Sequence, residues 1–406
     1  MNTPNEKLVL RPTSMQRPDA ASPQRLALFA LGFRPFYLLA ALLAALSVPV
    51  WVAQYVGVLP AHGPIAGLTW HMHELVFGFA VAVITGFLFT AGRNWTNQPT
   101  PTGRTLAALA ALWLAARVLT ITGPSFAAAY VDFAFLPLVA WFLWRALKAA
   151  NNTRNYFFVA LLAALALFNM AFWFAAFGIA PFSTLVPVKA ALYVIVLIVA
   201  IMGGRVIPMF TQNALPNARV RRNVKLDRWA IGLLAAALAL DVLAAPGWLL
   251  VPVALAAAVS HAIRLALWDP VATRIRPIVW ILHLSYAWIP LGLVLLAVAA
   301  LTPSVHEVYA VHSFAIGAVG GMIIGMITRT ALGHTGRPLV AGLAETFAYG
   351  LVQAAAFTRV VVGLAVPAAY GHTLALSALF WSAGFAVYAI AYWPILTRPR
   401  ADGKPG

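Results

Sequence analysis

Apolar stretches of about twenty residues follow one another along this chain, separated by short polar connections. A helix rising about 1.5 Å per residue needs roughly 20 such residues to cross a hydrocarbon core about 30 Å thick. The pattern predicts twelve of them, at 36–55, 71–91, 105–122, 126–147, 156–178, 187–209, 229–245, 248–268, 279–301, 306–328, 342–364 and 372–394. Backbone groups in lipid must be bonded within their own segment, and the leucine and alanine runs lack the two-residue alternation of barrel strands. The expected fold is therefore an all-α integral membrane protein, with one transmembrane domain over 31–397. A Pro-rich segment, 1–30, precedes it and is expected to be loose; a short tail, 398–406, follows. No short apolar core with a cleavage site opens the chain, so the first span is expected to remain as an uncleaved anchor.

Composition agrees with the pattern. Hydrophobic residues make up 63% and charged residues 9%, whereas soluble domains carry about 25% charged residues. The net charge of +17 is distributed by topology: all Lys and Arg except Arg117, Lys189 and Arg359 lie in the terminal segments or in alternate connections and the helix ends beside them. Positive charge is retained on the cytoplasmic side, so both termini are expected inside. Membrane lipid is thus the surrounding partner, and a nucleic-acid partner is not implied. The absence of cysteine excludes disulfides, thiolate ligands, iron–sulfur clusters and haem attached through paired cysteines.

A repeat runs beneath the helices. His73, Gly78 and Gly86 on the second helix recur at identical spacing as His312, Gly317 and Gly325 on the tenth. The inner ends of helices 2, 6 and 10 each carry an arginine, Arg93, Arg205 and Arg329, with Thr and polar neighbours following. Helices 3, 7 and 11 align Arg117, Asp241 and Arg359 at comparable depth, and helices 1 and 9 open with Arg34-Pro35 and Arg276-Pro277. These registers predict three degenerate four-helix units in a pseudo-threefold arrangement.

The candidate chemistry lies toward the outer side. His62, His71, His73, His306, His312 and His372 all fall there, and two of them lead into carboxylates, Glu74 and Glu307. Neutral imidazole binds haem iron or copper, and a nearby Glu can orient a ligand through its second ring nitrogen. His71 and His73 are two residues apart, roughly 200° around a helix, so they serve different sites unless the helix starts after His71. His306 and His312, six apart, may likewise be divided between two. The repeat selects His73 and His312 as a pair across one haem, leaving His71, His306 and His372 or His62 for a second metal. Arg117, Lys189 and Arg359, the three cations within spans, either snorkel to the headgroups or pair with the haem propionates.

The sequence resembles the NnrS family, membrane proteins of bacterial nitric oxide metabolism and tolerance described as containing haem and copper. The resemblance is carried by Leu31-Gly32-Phe33-Arg34-Pro35-Phe36, Trp70-His71-Met72-His73-Glu74 through Phe79, Gly204-Arg205-Val206-Ile207-Pro208-Met209-Phe210-Thr211, and Thr328-Arg329 through Leu332-Gly333-His334-Thr335-Gly336-Arg337-Pro338-Leu339. It implies a multi-pass protein of the bacterial cytoplasmic membrane, a non-covalent b-type haem, copper, nitric oxide as ligand, and a quinol or periplasmic electron donor. A more distant likeness is to the catalytic subunit of haem–copper oxidases and nitric oxide reductases, whose low-spin haem is held on helices 2 and 10, where His73 and His312 stand. That superfamily's copper histidines lie on helices 6 and 7; here helix 6 offers Lys189 and Tyr193, and helix 7 offers no histidine. Two other functions compete: a twelve-helix transporter, for which Asp132, Asn169 and Glu345 are the mid-membrane polar residues, and a non-catalytic haem-binding sensor or assembly factor.

Overall fold

The computed structural model describes residues 26–404, so the expected loose segment up to residue 25 and the last two residues of the tail lie outside the described residues. Twelve helices account for almost all of the described chain. They are α1 (Phe33–Tyr55), α2 (Gly67–Thr96), α3 (Gly103–Thr122), α4 (Ser125–Ala149), α5 (Thr153–Ala176), α6 (Leu185–Ala214), α7 (Val224–Val242), α8 (Gly247–Ala266), α9 (Pro277–Leu301), α10 (Val308–His334), α11 (Leu343–Ala365) and α12 (Pro367–Thr397). Eleven are long and apolar enough to cross a membrane; α7 is the exception. It begins five residues before the expected 229, where Asn223 caps it by accepting from the Lys225 and Leu226 amides, and its first turns therefore include Lys225, Asp227 and Arg228. The architecture is that of an all-helical, multi-pass membrane protein.

Sequential helices pack side by side, and α12 closes against α1. The second helix of each four-helix unit lies innermost: α2, α6 and α10 touch one another, and they are the most buried spans, at 83%, 61% and 72% of their apolar windows. The repeated glycines explain the close fit within the first and third units. A Cβ at Gly78 would meet Leu43, and one at Gly86 would meet Phe33, Phe36 and Tyr37, all on α1; at Gly317 and Gly325 it would meet Trp288, Leu282 and Ile281 on α9. Each pair lets an inner helix approach the first helix of its own unit, the use of small residues typical of membrane interfaces. Large apolar side chains such as Phe126, Tyr130, Leu301 and Ile390 are exposed on the outside, as a lipid solvent requires.

Three helices widen locally from α to π geometry, α2 over Glu74–Ala80, α10 over Ser313–Gly320 and α11 over Thr358–Val362. The first two begin immediately after His73 and His312, and the third contains Arg359. Single π turns inside α-helices are frequent at functional sites.

Candidate functional site

Where α2 and α10 begin, they and parts of α1, α6, α11 and α12 enclose a cavity of about 710 Å³ of atom-free space, its mouth included. Its walls are mostly aliphatic and aromatic, and its polar groups are His71, His312, Arg359 and Ser377.

Each of the first three holds something in reserve. The His71 ring stacks on Trp51, centroids 4.0 Å apart and planes 18° apart, and its buried Nδ1 has no hydrogen-bond partner. His312 Nδ1 lies 2.8 Å from the Val308 carbonyl oxygen. A carbonyl can only accept, so Nδ1 carries the proton and Nε2 keeps its lone pair, the arrangement that orients a metal-binding imidazole. Arg359 is 4% exposed; it donates from Nη2 to the Tyr370 hydroxyl at 2.9 Å and stacks over that ring, while its buried Nη1 has no partner. No carboxylate forms an ion pair with it among the described residues. Two imidazole lone pairs from different helices, an apolar slot and an uncompensated guanidinium suit a metallated ring bearing acidic substituents.

Two residues along α2, His73 turns the other way, as the roughly 200° rotation requires. Its Nδ1 lies 3.1 Å from Glu74 Oε1, and its Nε2 lies 3.1 Å from Asp132 Oδ2 and 3.2 Å from Asn169 Oδ1. Arg117 bridges the two carboxylates, pairing with Asp132 and, at 3.4 Å, with Glu74. With both carboxylates facing Arg117, each nitrogen of His73 faces an acceptor and donates a proton. The group is thus a neutral quartet of two carboxylates, a guanidinium and an imidazolium, completed by Trp173 and Asn169 donating to Asp132 and by Thr120 donating to Glu74. His73 retains no lone pair for a metal.

Lys189 is held equally firmly. Its Nζ lies 2.9 Å from both Asp241 and Glu307, and the Tyr193 hydroxyl donates to Asp241 at 2.7 Å. Glu307 therefore faces a lysine, not a histidine. His306, His372 and His62 are exposed. On the opposite side of the helices, His261 lies between Tyr286 and the Ala230 carbonyl, and His283 faces Thr211 and two backbone carbonyls, both as buried structural groups. Among the described residues, no three His, Cys, Asp or Glu side chains are grouped to hold a metal ion.

The structure thus brings His71 and His312 to one cavity and does not bring His73 and His312 together, although the repeat pairs them. It places Arg359 at the cavity without a carboxylate, whereas Arg117 and Lys189 each meet two. Trp51 and Tyr370 escaped the sequence reading, since an aromatic residue in a membrane helix carries no distinguishing signal. Asp132 and Asn169 were visible as isolated polar residues, but nothing in the sequence linked them to His73.

A family model described as NnrS protein matches residues 27–400, nearly the whole chain. No curated protein matches it.

Proposed function

Because the chain belongs to the NnrS family, we propose that it is a haem-binding protein of the bacterial cytoplasmic membrane that acts in nitric oxide handling, with its haem between α2 and α10. The observation that carries this reading is the cavity in which His71, His312 and Arg359 all keep unmet bonding capacity. His71 and His312 would hold the haem iron through their ring nitrogens, Trp51 would fix the plane of the first ring, and the Val308 carbonyl would fix the tautomer of the second. Arg359, backed by Tyr370, would hold a propionate, a bidentate partnership that guanidinium favours. The apolar walls would exclude water and admit a small uncharged gas such as nitric oxide.

A haem so held would supply one-electron chemistry, fed by quinol or a periplasmic donor. With no cysteine in the chain, the attachment would be non-covalent, as in b-type haem. Copper would draw on the exposed His306 and His372, because His71 and His312 belong to the cavity and His73 has no lone pair. The transporter reading loses its best support, since Asp132 and Asn169 are bound within the quartet and Glu345 is engaged by Tyr392 and by the cap of α11.

The optical spectrum of the purified protein, expressed with ample haem, tests the proposal. Sharp reduced bands of a low-spin b-type haem are expected, with about one haem per chain. Protein that is folded yet free of haem would contradict it.

A further inference from the structure

The inner helices enclose a second cavity at their other ends. From His71 to Asn94 along α2 is about 35 Å at the helical rise, so the two sites are separate. This vestibule, about 1,020 Å³ of atom-free space with its mouth included, is lined by α2, α6 and α10 together with Leu339. Arg329 is the cation within it. Only 8% exposed, it lies with its guanidinium carbon 3.7 Å from the Phe210 ring centroid, and it has neither hydrogen bond nor carboxylate among the described residues. No Asp or Glu lines the cavity.

The repeat makes this arginine unusual. Arg205, its counterpart on α6, donates to Asn155 Oδ1 at 3.3 Å and lies over Phe157, while Arg93 on α2 is exposed. Arg329 alone of the three is both buried and left without an acceptor. A buried unpaired charge is costly, and in a membrane protein it marks a place where something compensates it. Arg329 and Phe210 line the cavity together, and a guanidinium with no protein acceptor can grip an oxyanion with two parallel hydrogen bonds. Asn94 and Asn213, both exposed at the cavity's mouth, and the half-buried His334 line the same space and can add donors to an anion held by Arg329.

We propose that this vestibule is an oxyanion-binding site in which Arg329 is the principal donor and Asn94, Asn213 and His334 complete the cage. The oxyanion is either a free inorganic one or the phosphate of a lipid headgroup. Thermal unfolding of the full-length protein in neutral detergent, with sodium phosphate or nitrate titrated against chloride at matched ionic strength, tests the free form. A ligand bound by the folded state raises its melting temperature. Native mass spectrometry with phosphatidylglycerol against phosphatidylcholine tests the headgroup.

A saturable rise with an oxyanion, or selective retention of phosphatidylglycerol, is expected. Whichever appears should vanish in Arg329→Gln, weaken in Arg329→Lys, which keeps the charge but loses the fork, and persist in Arg221→Gln on the exposed α6–α7 connection. If Arg329→Gln does not fold, the selectivity of the unaltered protein and the Arg329→Lys comparison still decide. No preference over chloride and phosphatidylcholine, or equal binding by the Arg329 variants, overturns the proposal.

Discussion

His71 and His73 are neighbours on one helix, yet the surroundings of the two residues resolve their charges in opposite ways. Around His73, two carboxylates and two cations meet in a closed neutral group in which every ring nitrogen is used. Around His71, the same residue types are left open: an imidazole nitrogen without a partner, a second imidazole with a free lone pair, and a guanidinium with no carboxylate. Burial raises the stakes equally in both places, because desolvated charge must be compensated. The difference teaches that a titratable residue within the membrane becomes a candidate for ligand binding through what it lacks. The quartet is a structural rivet between α2, α3, α4 and α5, and the cavity is where a ligand's charge and metal would complete the accounting.

The comparison breaks most visibly at Arg117. Arg117→Met leaves His73 as the one cationic partner of Glu74 and Asp132 among the described residues, and removing one partner from a buried ion pair costs about 3–5 kcal/mol. A loss of that size is expected in unfolding of the cofactor-free protein, and adding Asp132→Asn should recover part of it, since the two sites are coupled. A loss below about 1 kcal/mol would mean that the quartet is not closed as described. Arg359→Gln should behave in the opposite manner. It removes a charge that has no carboxylate partner, so stability without haem should change by under about 1 kcal/mol, near the worth of one ordinary hydrogen bond. Haem transfer to an acceptor apoprotein should nonetheless show binding weakened about ten- to hundredfold, corresponding to about 1.5–3 kcal/mol for a hydrogen bond to a charged group. The smallest effect on haem is expected at Lys189, which is paired with the side chains of Asp241, 9% exposed, and Glu307, 43% exposed. Lys189→Met should strand the largely buried Asp241 carboxylate, cost about 1–3 kcal/mol, and leave the haem spectrum unchanged. A changed spectrum would attach that ion pair to the haem site.

Much of this was legible in the sequence, and the rest was hidden for physical reasons. Apolar runs and charge asymmetry are local signals, so they yielded the twelve helices, but their ends missed by five or six residues at α2, α6, α7, α10 and α12, where polar end turns do not resemble a membrane span. The glycine register predicted the repeat correctly, since Gly78 and Gly317 face equivalent helices. Extending that register to the histidines paired His73 with His312, and there the local signal ran out. Helical phase says that His71 and His73 face apart, but which of them faces α10 depends on Asp132 and Asn169, 59 and 96 residues away from His73. The π turns that follow His73 and His312 have no sequence signature either. Arg117, Lys189 and Arg359 looked alike as intramembrane cations, and only their neighbours in space distinguish them.

The central claim is that His71, not His73, shares a haem with His312. The most direct test compares reduced optical spectra of His71→Ala and His73→Gln proteins, each normalised to folded protein. The account predicts that His71→Ala loses the sharp low-spin bands, whereas His73→Gln, though less stable, keeps them unshifted. Loss of those bands in His73→Gln with their retention in His71→Ala would contradict it.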